Sequence, residues 1–229
     1  AVLAGGIFKV GRIKGVSRPA LAPLLPTITD SSVILCDCGA NVDCQPQMLV
    51  QFASMASAYA RAVLNVANPR VGLLSNGTED KKGNDLNRQA FTLLKEESNI
   101  NFVGNIEARE ILSGDYDVVV CDGFNGNIAL KSIEGTALMV LKTIKKEITK
   151  GFNKVGALLL KKAFSRVRAK LDYNKVGGAL FIGLDKILIK AHGSSKCTTI
   201  EGAIEQIITM HNNKLIDRIK EGLPINAND

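Results

Sequence analysis

The chain has 229 residues, 46% hydrophobic and 22% charged, an ordinary globular composition that excludes wholesale disorder. No apolar run approaches the roughly 18 residues of a membrane-spanning helix, and no fixed-period repeat or low-complexity tract is present. Five Cys at irregular spacing argue against a disulfide framework and for a reducing, cytoplasmic compartment. The net charge of +7 is concentrated in one place. Residues 137–170 hold ten Lys or Arg against one acid, Glu147, so this segment carries +9 and leaves about −2 for the rest.

In chain order, Val33-Ile34-Leu35 reads as a short buried strand. Pro46 opens a helix with Met48, Leu49, Phe52, Met55, Tyr59 and Val63 inward, and Pro69 follows its end. Val71-Gly72-Leu73-Leu74 is the next strand. A helix over about 85–97 then turns Leu86, Ala90, Leu93 and Leu94 inward. Phe102-Val103 and Val118-Val119-Val120-Cys121 continue the strand series. Beyond the basic segment come Leu180-Phe181-Ile182, Ile187-Leu188-Ile189, and a helix from about Thr199 carrying Ile200, Ile204, Ile207 and Ile208. This strand-then-helix order predicts an α/β chain, a three-layer sandwich around a largely parallel sheet.

Within the basic segment, Leu141, Ile144, Ile148, Phe152, Val155 and Leu159 follow steps of 3, 4, 4, 3 and 4, one apolar stripe on a helix. Lys142, Lys146, Lys150 and Lys154 fall largely off it. The stripe restarts with Phe164, Val167 and Leu171, with Gly151 or Gly156 at the bend. Residues 137–171 therefore read as a protruding basic amphipathic helical hairpin inserted in a single domain spanning 1–229. Phe152 and Phe164 are its only aromatics and no RNA or DNA motif accompanies them, so nucleic acid is not the expected partner.

Four polar clusters each follow a predicted strand: Asp37–Asp43, Asn76–Asn84, Asp122–Asn127 and Ala191–Ser195. In open α/β sheets ligands bind beyond the carboxyl ends of the strands, so the four loops are expected to line one crevice. Gly, Asn and Asp are also plain turn formers. What distinguishes these loops is the lysine pair Lys81-Lys82 and His192, one of two histidines. Gly-flanked loops entering helices present N–H groups to a phosphate or carboxylate, and Asn84, Asn127 and His192 add directional donors of the kind a tetrahedral oxyanion needs. No dinucleotide or P-loop fingerprint and no nucleophile elbow occurs. Cys36, Cys38 and Cys44 have no nearby His, so neither a metal nor an acyl-cysteine is expected.

The strings Arg18-Pro-Ala-Leu-Ala-Pro-Leu-Leu-Pro-Thr27, Gly39-Ala-Asn-Val-Asp43, Pro69-Arg-Val-Gly-Leu-Leu74, Thr78-Glu-Asp-Lys-Lys-Gly-Asn84, Ile100-Asn-Phe-Val-Gly-Asn105, Asp122-Gly-Phe-Asn-Gly-Asn127 and Ile189-Lys-Ala-His-Gly-Ser194 resemble the bacterial phosphate acyltransferases of phospholipid synthesis, the PlsX family. The match runs in register over nearly the whole chain. It implies transfer of a fatty acyl group from acyl-[acyl-carrier-protein] to inorganic phosphate, without a cofactor or metal. It also implies a fold similar to the isocitrate/isopropylmalate dehydrogenases and phosphotransacetylases, a homodimer, and delivery of acyl phosphate to a membrane glycerol-3-phosphate acyltransferase.

By resemblance, Lys82 and Asn127 are the catalytic candidates, and His192 joins them as a directional donor beside phosphate. Asn41, Asp43, Thr78, Lys81, Gly83, Asn84, Asp122, Gly126, Gly193 and Ser194 are the substrate- and phosphate-binding candidates. The family has an N-terminal portion before the position of Ala1, with loops expected in the site. Without it, strand edges and an apolar face are expected to lie uncovered. The hairpin has two readings, packing on a dimer mate or resting on the anionic inner membrane face through Leu158, Leu159, Leu160, Lys161 and Lys162. The rival functions are a short-chain phosphotransacetylase using acyl-coenzyme A, on the same fold, and a non-catalytic basic binding protein.

Overall fold

Short runs of Val, Ile and Leu bounded by Gly, Asn and Asp supply most of the strands. The structure, a computed structural model, describes residues 2–151, 153–171, 177–191, 193 and 195–223, with side chains for all but Lys154, Arg168 and Leu171. The elements are α1 (Val2–Gly5), β1 (Ala20–Ala22), β2 (Leu24–Pro26), β3 (Ser32–Cys36), α2 (Pro46–Tyr59), β4 (Val71–Ser75), α3 (Asp85–Glu96), β5 (Phe102–Glu107), β6 (Val118–Val120), α4 (Gly123–Ile148), α5 (Asn153–Leu159), α6 (Lys161–Leu171), β7 (Ala179–Ile182), β8 (Ile189–Lys190), α7 (Cys197–Asn212) and α8 (Leu215–Gly222).

The predicted strands and helices all form, within a few residues of their expected limits. Pro46 is the first helical residue of α2, where its missing N–H costs nothing. The helix then widens into a π-helical turn over Ala60–Leu64 and stops at Asn65, in the left-handed region at φ 56°. The three-residue strands β1 and β2 are additions that periodicity does not signal.

Five strands form a sheet in the order β2-β3-β6-β4-β5. The β3–β6, β6–β4 and β4–β5 pairs are parallel, and β2 runs antiparallel on the β3 edge. The largely parallel expectation holds there. A separate three-stranded sheet, β1-β7-β8, is wholly antiparallel.

Alternation along β3 sends Ile34 and Cys36 to one face and Val33 and Leu35 to the other, and both faces are buried. On the first face α2, α3 and α8 cover the sheet through Phe52, Met55, Tyr59, Leu94 and Ile219. On the second, the first half of α4 lays Ala129, Leu130 and Ile133 against Leu25, Leu35, Leu74 and Val119. Helix, sheet and helix make the three layers.

Past its first half α4 leaves the body. It ends at Ile148, Gly151 takes a left-handed φ of 46°, and α5 and α6 follow with a break at Leu160. The bend thus uses Gly151, whereas Gly156 lies inside α5. Lys170 at the end of α6 returns to the carbonyl of Ile28 and the carboxylate of Asp30. Leu141, Ile144 and Ile148 are half-buried, but Val155, Leu158, Leu159 and Leu160 face solvent, Leu159 at 82% exposure. Phe152 lies outside the described residues.

Candidate active site

Three of the four polar loops stand at the carboxyl ends of β3, β4 and β6, and the buried carboxylate of Asp37 organises the first. Its Oδ1 accepts from the N–H of Leu21 at 2.8 Å and of Ala40 at 3.1 Å. Its Oδ2 accepts from the N–H of Asn41 at 2.6 Å and from Asn41 Nδ2 at 2.9 Å. Asn41 Nδ2 also donates to the carbonyl of Pro19 at 2.9 Å. Burial pushes the Asp37 carboxyl above its ordinary value, and these hydrogen bonds work in the opposite direction.

The loop after β6 locks onto this one. Gly123 N–H donates to the carbonyl of Asn41 at 2.7 Å. A β-carbon on Gly123 would meet that oxygen at 2.5 Å, and one on Gly39 would touch Asn127. Asp122 caps α4, its Oδ1 accepting from Asn125 N–H at 2.8 Å. Asn84 caps α3 in the same way through Asn87 N–H at 2.9 Å. Beside it, Gly83 N–H donates to Asn76 Oδ1 at 2.8 Å, and Asn87 Nδ2 donates to the carbonyl of Leu74 at 2.7 Å.

Between α4 and the sheet lies a groove of about 940 Å³. Its lining is mostly apolar, including Leu25, Leu74, Ile111, Leu112, Ile128 and Ile133. Ser75, Asn76, Asn84, Asn87 and Asn125 make the end at the strand carboxyl termini polar. Around the flank of α4 is a smaller cleft of about 150 Å³ lined by Asn127, Lys131, Lys190, Cys38 and Thr199. The two share Leu25, Leu130 and Glu134 as lining. A third, polar hollow of about 460 Å³ is lined by Ser17, Arg18, Asn41, Asp43 and Gln45.

The expected single crevice is therefore three neighbouring concavities. Gly83 and Asn84 line the apolar groove, Asn127 the cleft, and Asn41 and Asp43 the polar hollow. Thr78, Lys81 and Lys82 are exposed above the β4 loop, with Lys82 Nζ 3.9 Å from Glu79 Oε1. Asp122 and Gly126 are buried where α4 begins, and Gly193 is exposed. His192 and Ser194 lie outside the described residues. The side chains of Asn41, Asn84 and Asp122 are engaged in holding the loops, so near a ligand they act through the backbone geometry they fix. Residues the sequence reading did not single out are Asp37, Asn76, Asn125, Lys131 and Lys190. Asp37, Asn76 and Asn125 had a signal, since each belongs to a recognised loop, and Lys190 lies in one of the strings that carry the resemblance.

Burial raises the thiols of Cys36, Cys38 and Cys121 well above their ordinary value, and Cys44 is pushed up to about 11. Such thiols are poor nucleophiles. Among the described residues no group of three or more His, Cys, Asp or Glu is placed to hold a metal, and no helix is long and apolar enough to cross a membrane.

Helices covering both faces of a mainly parallel sheet, with polar loops at the strand ends, define a three-layer α/β sandwich. The structure superposes on a phosphotransacetylase from Streptococcus pyogenes with TM-score 0.56 at 14% identity, over 94% of this chain and 59% of that one. It superposes on the EutD phosphotransacetylase from Staphylococcus aureus with TM-score 0.51 at 18% identity, over 95% and 58%. At such identities the likeness shows the fold alone.

The chain belongs to the family described as "Fatty acid synthesis protein", whose profile matches residues 1–218. It is 54% identical over 207 residues to the phosphate acyltransferase of Bacillus pumilus, covering 90% of this chain and 62% of that one. It is 50% identical over 221 residues to the phosphate acyltransferase of Clostridium novyi, covering 96% and 66%. The chain thus spans a little under two thirds of the length of these relatives.

Proposed function

We propose that the protein transfers a fatty acyl group from an acyl-[acyl-carrier-protein] thioester to inorganic phosphate, giving acyl phosphate for phospholipid synthesis. The observation that carries this reading is the groove between α4 and the sheet, mostly apolar, with Ser75, Asn76, Asn84, Asn87 and Asn125 where the strand-end loops meet it. A two-carbon acetyl group has no use for 940 Å³ of mostly apolar space, so the groove favours a long acyl chain over a short-chain, coenzyme A-dependent reaction.

In this reading a phosphate oxygen attacks the thioester carbonyl carbon, and the carbonyl electrons move onto oxygen. The tetrahedral intermediate collapses, the C–S bond breaks and the carrier thiolate leaves with the electron pair. Asn127 Nδ2 donates a hydrogen bond to the oxyanion, and Lys82 and His192 offset the charge on phosphate and oxyanion. The loops carrying Asn41, Asp43, Thr78, Lys81, Gly83, Asn84, Asp122, Gly126, Gly193 and Ser194 are assigned to holding phosphate and thioester. No acyl-enzyme is needed, because juxtaposing two bound reactants supplies much of the acceleration, and the high pKa values of the nearby thiols favour this direct route.

The same reading makes the protein a cytoplasmic homodimer that meets the inner membrane face. Its basic hairpin exposes Leu158, Leu159 and Leu160 next to Lys161 and Lys162, an arrangement suited to anionic lipid. Such contact would shorten the path of a labile acyl phosphate to a membrane glycerol-3-phosphate acyltransferase. The deciding experiment assays the full-length protein for acyl phosphate with acyl-[acyl-carrier-protein] and with acyl-coenzyme A of several chain lengths. Product from long-chain carrier thioesters supports the reading, and activity confined to acetyl-coenzyme A replaces it with the phosphotransacetylase.

A further inference from the structure

We infer that Lys131 of α4 and Lys190 of β8 make the small cleft beside Asn127 the seat of the attacking phosphate; this rests on the acyl-transfer reading above. That reading puts Asn127 Nδ2 on the oxyanion. The oxyanion is one bond from the carbonyl carbon, and the attacking phosphate oxygen must stand about 3–3.5 Å from that carbon. Phosphate therefore shares the hollow that Asn127 lines. Asn127 lines the cleft of about 150 Å³ and not the groove of about 940 Å³. The smaller space suits a compact tetrahedral anion rather than an acyl chain. Lys82 lines none of the three concavities, so the cations inside the cleft are others.

Two elements supply them. On α4, Asn127, Lys131 and Glu134 follow steps of four and three, one helix face turned to the cleft. Lys131 Nζ donates to Glu134 Oε2 at 2.7 Å, and the Glu134 side chain is only 16% exposed, so a well-covered carboxylate holds this lysine in place. On β8, Lys190 stands opposite Ala179 of β7. Among the described residues no carboxylate pairs with it. Lys131 and Glu134 cancel, so Lys190 gives the cleft its net positive charge.

Bare backbone shapes the walls. A β-carbon on Gly178 would meet the carbonyl oxygen of Lys190 at 2.7 Å, and one on Gly177, at φ 90°, would meet the backbone nitrogen of Ala203 in α7 at 2.4 Å. Only glycine lets β7 approach both β8 and α7 this closely, which fixes Lys190 beside the cleft. Much of the remaining lining is apolar, Leu21, Pro23, Leu25 and Leu130 among it. Charged contacts made against such surroundings are stronger than in open water. Cys38 also lines the cleft, and burial keeps its thiol neutral, so it adds no repulsion.

The test uses the full-length protein with Lys190→Ala, Lys131→Ala and the double variant, varying inorganic phosphate and acyl-[acyl-carrier-protein] separately. Each single change is expected to raise the KM for phosphate about tenfold or more, the usual loss of one charge-assisted contact, and to leave the KM for the thioester unchanged. Lys190→Arg keeps the charge and is expected to recover most of the loss. Lys190 is exposed, so Lys190→Ala should melt like the wild type in the absence of phosphate. An unchanged KM for phosphate in folded, active variants overturns the inference. So does a rise confined to the carrier thioester, which would assign the lysines to the phosphodiester of the carrier's prosthetic arm.

A second measurement does not depend on turnover. Inorganic phosphate is expected to raise the melting midpoint of the wild type and not that of the double variant. Phosphate that fails to distinguish the two overturns the subsite and leaves the reaction standing. Absence of acyl phosphate from the wild type with every thioester removes the reaction itself.

Discussion

A β-carbon on Gly126 would overlap the carbonyl oxygen of Asp37, so the first turn of α4 and the strand end of β3 are in backbone-to-backbone contact. Cys121 Sγ closes the same spot, donating to that oxygen at 3.5 Å. Gly126→Ala is therefore expected to push α4 off the sheet and destabilise the fold by about 1–3 kcal/mol, the usual range for overpacking a tight interior. Urea unfolding measures it; a midpoint equal to that of the wild type contradicts the contact.

Lys82→Ala and Asn127→Ala in the full-length protein are each expected to lower acyl-phosphate formation by about 10²–10³, the usual loss on removing one oxyanion donor or its charge partner. Lys82 is exposed, so its substitution should leave the thermal midpoint unchanged. Near-normal turnover in both variants removes them from the reaction.

Burial raises the Asp37 carboxyl above its ordinary value of 3.8, so the folded chain holds this proton to higher pH than the unfolded chain does. Its contribution to stability is then complete below the unfolded pKa and is lost as pH rises through the folded one. The stability difference between the wild type and Asp37→Asn, taken from urea titrations between about pH 3 and pH 7, should shift against the wild type as pH rises. A shift in its favour would place the folded pKa below 3.8 and make the hydrogen bonds to Leu21, Ala40 and Asn41 the dominant influence.

Thiol reactivity should follow burial. Cys197 is exposed at the start of α7, Cys44 is half-buried, and Cys36, Cys38 and Cys121 are buried. Iodoacetamide near neutral pH is expected to alkylate Cys197 first, to reach Cys44 slowly and faster as pH approaches its pKa of about 11, and to reach the other three only on unfolding. Mass spectrometry of native protein showing Cys36 and Cys38 modified as fast as Cys197 would contradict the packing around Asp37.

The hairpin has its own test. Full-length protein is expected to co-sediment with anionic phospholipid vesicles, to release them as salt rises, and to lose binding when Leu158, Leu159 and Leu160 are changed to Ser. Binding that survives those changes, or that ignores lipid charge, assigns the hairpin to packing on a dimer mate.

Local residue order was enough for the strands β3, β4 and β6, for the start of α2 at Pro46, and for the loops that gather at the strand ends. Each rests on backbone preferences and side-chain periodicity that a few neighbouring residues set. β1 and β2 escaped because Pro19, Pro23 and Pro26 interrupt their stretch, and they are strands only by pairing with β7 and β3, far along the chain. Asn84 and Asp122 stand in the sequence as binding candidates, whereas the structure uses their side chains as helix caps that accept from the N–H of Asn87 and Asn125. The groove is likewise a product of assembly. Its walls come from segments near residues 25, 75, 110 and 130, and its volume is the gap left when α4 rests on the sheet through Ala129, Leu130 and Ile133. A gap between distant segments has no local signature in a sequence, because it depends on how closely their backbones can approach after the core between them is filled.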